Sequence, residues 1–170
     1  TNLFIAPLKV SEIVTALTVT ALIRTLIGIV PAILLASPFF GVSLFDLGPS
    51  LMLLLISLYI FGITLGLFVV SGLLRYGPSF ENVAWSSLFL LAPLGCIYYP
   101  LSILPDWLQV LAKALPLVYI FEEVRSILLN NVVNYSNIMS ALILNFIYLL
   151  LSVYVFYSAF HEARKKGTLI

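Results

Sequence analysis

The sequence predicts an all-α, polytopic membrane protein. It has four transmembrane helices and an outer re-entrant pair of short amphipathic helices, in a single transmembrane domain over residues 1–170. Three observations carry this. Of the 170 residues, 62% are hydrophobic and only 9% are charged, where soluble domains run near about 45–50% and about 25%. A folded chain this short keeps roughly a third of its surface wet, so a core cannot absorb the excess. The apolar residues also gather in runs near the ~20 residues that a helical crossing takes. Backbone groups in hydrocarbon must bond within their own segment, which selects helices, and no ten-residue alternation of the barrel type is visible.

The elements follow in order. Residues 1–12 precede the first span. Span one, 13–35, is interrupted by Arg24 and Pro31. Span two, 51–74, holds no charge, and span three, 83–103, contains Pro93 and Pro100. Span four, 138–160, is again uncharged. With four spans, Lys9, Arg75, Arg164, Lys165 and Lys166 fall on one side, and Lys113 and Arg125 on the other. The positive-inside rule then puts both termini in the cytoplasm. Tyr98, Tyr99, Trp107 and Tyr119 cluster at the expected outer boundary, where interfacial aromatics belong.

The connection 104–137 is too apolar for a wet loop and too broken for one span. Pro105 opens a short helix, with Asp106 near its positive end. Trp107, Leu108, Leu111 and Leu115 share one face of it, and Pro116 ends it. A second segment sets Ile120, Phe121, Val124, Ile127 and Leu128 against Glu122, Glu123, Arg125 and Ser126. Two amphipathic helices in series read as a re-entrant or interfacial hairpin. Irregular backbone at that depth is tolerated only where protein covers it or it lines a water-filled space.

Few residues bear chemistry. Arg24 sits about 16 Å along its helix, where a charge costs at least about 2.5 kcal/mol and must face protein or water. It either lines a path or bonds structurally to helix ends or to an acid such as Glu122 or Glu123, and the structural bond is preferred. Asn145, Tyr148 and Ser152 share a face of span four, which suits interhelical hydrogen bonding before substrate contact. Gly62 and Gly66 form a GxxxG that fits dimerisation or packing within the chain. Glu122 and Arg125 can pair at i, i+3, and His161 with Arg164, Lys165 and Lys166 anchors the tail near anionic lipid.

Several classes are excluded. A net charge of +1 argues against a nucleic-acid partner. One cysteine, Cys96, and one histidine leave neither a disulfide framework nor a Cys/His metal site. GxxxxGK[ST], HExxH and GxSxG are absent, so no P-loop, common metalloprotease or hydrolase arrangement is present. Paired carboxylates inside a span, which a proton-relay pump needs, are also missing.

The stretch from Arg75 to Arg125 carries a resemblance. Pro93, Gly95, Tyr99-Pro100, Leu104-Pro105, Trp107-Leu108, Leu115-Pro116 and Phe121-Glu122-Glu123-Val124-Arg125 occur in order over this stretch. This closely resembles the permease subunits of type-2 ABC transporters. Ile5 to Ala16, with Pro7, Ser11 and Glu12, is similar to that family's cytoplasmic segment before its third span. The resemblance implies six spans, of which this chain holds the last four, in agreement with a start at Thr1 rather than Met. It implies that residues 1–12, with Pro7, Leu8, Lys9, Ser11 and Glu12, dock on a separate ATP-binding subunit. ATP and Mg bind in that partner, and this chain holds no cofactor.

Two permeases, alike or different, and two ATPases would form the working unit in membrane lipid, the plasma (inner) membrane of a prokaryote. The hairpin 105–129 would cap the outer end of the pathway, with Tyr99, Pro100, Pro105, Trp107, Pro116, Glu122 and Arg125 as its gate. Exported molecules in the family include lipid-linked glycans, drugs and peptides, and Asp106 with a hairpin poor in basic residues departs from its pattern. The rival reading is an ion-coupled carrier or channel component, which inverted repeats would favour. No matching halves are found around Pro31 and Pro93.

Overall fold

The computed structural model describes residues 10–40 and 48–165, and among them there are helices and turns but no strands. The helices are α1 (Val10–Phe40), α2 (Pro49–Tyr76), α3 (Phe80–Leu94), α4 (Asp106–Ala112), α5 (Pro116–Asn130) and α6 (Tyr135–Lys165), with a 3-10 turn at Leu101–Ile103. Pro7, Leu8 and Lys9 lie outside the described residues. Ser11 and Glu12 fall within the first turn of α1, so the helix begins before the expected span. Three described helices are long and apolar enough to cross a membrane: α1 through Thr18–Leu35, α2 and α6.

The chain divides into two compact units, Thr1–Phe45 and Asp46–Ile170. The first is built on α1, which carries Pro31 and Pro38 inside it. Each proline lacks the N–H that would meet the carbonyl four residues back. The hydroxyls of Thr20 and Thr25 donate to the carbonyls of Ala16 and Ala21 at 2.7 and 2.8 Å. These polar side chains are thereby satisfied within their own helix.

The second unit is organised by α2 and α6, which pack along most of their length. They run parallel, because Ser57 meets Asn145 and, further on, Arg75 meets Ser158 and Glu162. The buried positions of α2 include Ser50, Ser57, Thr64 and Ser71, and those of α6 include Ile138, Asn145, Ser152 and Ala159. Both sets repeat every seven residues, the spacing of a left-handed helix pair. They share the same sequence offset of 88, which the Ser57–Asn145 contact displays. Small side chains let the two backbones approach closely, as helices packing in lipid require.

Parallel neighbours oblige the intervening chain to travel back from the Tyr76 end to the Tyr135 end. It begins after Gly77, whose φ of +75° is open to glycine and strained for other residues. The expected third span, 83–103, differs from what forms. The helix is α3, Phe80–Leu94, 15 residues long, or about 22 Å, short of a ~30 Å hydrocarbon core. Pro93 lies in its last turn, Cys96 turns the chain with φ +54°, and Pro100 is extended.

The chain beyond α3 is irregular as far as α4 and is supported by the hairpin. The Tyr148 hydroxyl donates to the Ala114 carbonyl at 3.1 Å. This places the α4–α5 turn about 20 Å along α6 from its start. From there α5 returns to the beginning of α6. Gly95, just beyond α3, lies against Leu117 near the start of α5; a Cβ there would stand 2.9 Å from the Leu117 side chain. The hairpin thus lies alongside the first part of α6.

Candidate functional site

Breaking a helix inside a hydrophobic segment frees backbone groups that lipid cannot satisfy. The stretch from Pro93 to Pro105 has this difficulty, and α5 supplies most of the remedy. Pro116 starts α5 at a position where its missing N–H costs nothing. The helix then presents Glu122 and Arg125, one turn apart, toward the broken stretch.

Arg125 is the centre of this clasp. One guanidinium nitrogen, Nη2, donates to the carbonyl of Cys96 and, at 3.2 Å, to that of Ile97. Its Nη1 donates to Glu122 Oε1 at 2.9 Å. The same Oε1 accepts the Leu101 backbone N–H at 2.8 Å. A forked, delocalised cation suits this work, since it meets several acceptors at fixed angles. Around it, the Tyr99 hydroxyl donates to the Pro93 carbonyl at 2.8 Å, and Gln109 Nε2 donates to the Leu104 carbonyl at 2.8 Å. Beneath these bonds lies a small apolar core of Cys96, Leu104, Ala112 and Val118, packed by Tyr99, Leu101, Leu108 and Leu115.

The next residue on α5 faces elsewhere. Successive helical residues point about 100° apart, and Glu123 is fully buried toward the start of α6. Its Oε1 accepts the Asn134 backbone N–H at 2.7 Å, and its Oε2 accepts from Asn137 Nδ2 at 3.2 Å. Asn134 Oδ1 in turn accepts the Ser136 N–H at 3.1 Å. The turn between α5 and α6 is closed by Asn131 in the left-handed region and by the Ser126 hydroxyl donating to the Val132 carbonyl at 2.9 Å.

The expected gate residues therefore divide. Tyr99, Glu122 and Arg125 meet through the broken stretch, Pro100 introduces its 3-10 turn, and Pro116 is buried at the start of α5. Pro105 precedes α4 and is exposed, and Trp107 is 68% exposed and takes no part in the clasp. Asn145 lies in the α2–α6 seam, where its Nδ2 donates to the Ser57 carbonyl at 2.9 Å and to Ser57 Oγ at 2.6 Å. Arg24 is an exposed residue of α1. Glu122 and Glu123, the acids considered for it, both engage groups of the second unit.

Sequence reasoning missed Asn134, Asn137 and Ser57, and the carbonyls of Cys96 and Ile97, and offered Glu123 only as a polar residue of the hairpin and a partner for Arg24. Two adjacent acids on one helix were the available signal, because they cannot serve the same face. Among the described residues no group of three or more His, Cys, Asp or Glu could hold a metal ion. The clasp's polar atoms are directed at backbone, an arrangement suited to holding a shape. A sequence model described as "ABC-2 type transporter" matches residues 2–129. No curated protein and no solved structure matches the chain.

Proposed function

The chain belongs to the ABC-2 type transporter family, and from that premise we propose that it is the permease subunit of an ATP-driven exporter. In this reading it forms the substrate pathway and couples to a separate ATP-binding subunit, which alone holds ATP and Mg. A second permease, identical or different, completes the pathway. The membrane is the inner membrane of a prokaryote, both ends of the chain face the cytoplasm, and the α4–α5 hairpin caps the outer end of the path. The observation supporting a cap is the clasp itself. It holds irregular backbone between apolar helices, and in a bilayer such backbone is tolerated only under protein cover or beside water.

The chain's work is mechanical. Nucleotide binding in the partner favours one arrangement of the permease only to the extent that the partner binds that arrangement better. Residues 1–12 deliver this bias, with Pro7, Leu8, Lys9, Ser11 and Glu12 at the docking surface. The test is co-purification with the ATP-binding subunit in lipid nanodiscs. ATP turnover of the partner is expected to rise at least severalfold when the permease is present. It is expected to return to the basal rate when residues 1–12 are replaced by an unrelated polar linker. Full coupling with the linker would refute the docking assignment, and no effect of the permease on turnover would refute the function.

A further inference from the structure

We propose that Glu123 is a positioning residue that binds the α4–α5 hairpin to α6, so that the two move as one body. The inference starts from a disproportion. Glu123 is fully buried, and among the described residues its two oxygens meet no cation but one backbone amide and one side-chain amide. Removing a carboxylate from water is costly, and a well-packed apolar residue often serves stability as well or better. Fold stability alone therefore accounts poorly for an acid here. Its bonds account for it better, because both run from the middle of α5 to the beginning of another helix.

The receiving groups are placed to transmit movement. Asn134 immediately precedes α6 and Asn137 lies in its first turn, where helix N–H groups lack intrahelical partners and the helix dipole favours negative charge. Glu123 thus holds Asn134, whose side chain caps the Ser136 N–H, together with Asn137, and so fastens the start of α6 to α5. Glu122, the adjacent residue, fastens the other flank of α5 to the broken stretch through the Leu101 N–H. Tyr148 repeats the α6 attachment lower down, at the Ala114 carbonyl. A tilt of α6 is therefore carried to the hairpin through two attachments at different depths. The seam to α2 extends the body along the rest of α6.

That this body participates in transport rests on the permease reading, but the attachment itself can be tested apart from it. Spin labels at Trp107 on α4 and Tyr154 on α6, both well exposed, report the distance between hairpin and helix; buried Cys96 stays unlabelled. In nanodiscs the full chain is expected to give one narrow distance. The distance is expected not to change when the ATP-binding subunit and a non-hydrolysable ATP analogue are added. E123L keeps most of the volume but removes both acceptors, and should at least double the width of the distribution. E123Q still accepts the Asn134 N–H, and a flip of the Asn137 amide restores the second bond, so it should stay near the wild-type width.

A folded E123L with the narrow wild-type distance overturns the proposal, as does a nucleotide-dependent change in the unmodified protein. If E123L fails to fold, N137A removes one bond alone, and an unaltered distribution in that variant overturns it equally. Failure of the permease reading registers differently, as a partner whose ATP turnover ignores the chain, while the label distances in lipid remain informative.

Discussion

The α2–α6 seam and the α4–α5 hairpin solve the same problem by opposite means. Along the seam, regular helices satisfy their own backbones, and even the polar side chains bond at home. Thr64 donates to the Ile60 carbonyl at 3.0 Å, Ser71 to Leu67 at 2.6 Å and Ser152 to Leu149 at 2.8 Å. Across the seam, Asn145 meets Ser57 in its interior, and Arg75 meets Ser158 and Glu162 at one end. In the hairpin, the broken backbone leaves donors and acceptors that charged side chains must reach from α5. Small residues suffice where the backbone is regular, and ionised ones are recruited where it is not.

This contrast can be broken most forcefully at Arg125. R125A leaves two carbonyls and Glu122 without their common donor, and should cost about 3 kcal/mol, as deletion of one partner in a largely covered ion pair does. R125K should recover part of that loss, since an ammonium lacks the fork. Thermal unfolding in nanodiscs measures both. A cost for R125A no greater than that of a seam variant would dissolve the distinction between the regions.

The seam offers a smaller effect. N145A should cost about 1 kcal/mol, in the range found for interhelical hydrogen bonds in lipid. Combining it with S57A should add less than the sum of the two. The double-mutant cycle is the measurement; S57A keeps the bond to the Ser57 carbonyl, so strict additivity would show that the bond to Ser57 Oγ contributes nothing.

The smallest effect belongs to the Arg75 Nε–Glu162 Oε2 pair at 3.4 Å, whose side chains are 32% and 51% exposed. E162Q should change stability by no more than about 0.5 kcal/mol, and less at high salt. A loss that persists in molar salt would mean that this end of the seam is drier than its exposure indicates.

The sequence made the regular elements readable and concealed the irregular ones. Runs 51–74 and 138–160 locate α2 and α6, which extend a few residues into polar flanks because a helix outlasts its hydrocarbon. Pro105 and Pro116 mark the hairpin, since proline fixes where helices begin. The run 83–103 is helical only as far as Leu94, because apolar length does not separate a helix from broken backbone covered by protein. The φ of Cys96 and the fit of Gly95 against Leu117 are written in tertiary contacts. Glu122 with Arg125 was visible as an i, i+3 pair, but its backbone targets lie 21 to 29 residues away. The conspicuous GxxxG drew attention to Gly62 and Gly66, which are exposed on α2. The less conspicuous heptad of Ser50, Ser57, Thr64 and Ser71 is the face that packs.

A seam with a seven-residue period has a hazard of its own. Slipping one helix by a single heptad, about 10 Å, would again set small groups opposite small groups at most levels. Such a track would slide if nothing stopped it. Arg75 at one end would be carried a full two turns from Glu162 and Ser158, and any slide of α6 would also break its bonds to Glu123 and to the Ala114 carbonyl, so these contacts together hold the register. Bending or rocking of the joined helices preserves every match, and that is the freedom left to them.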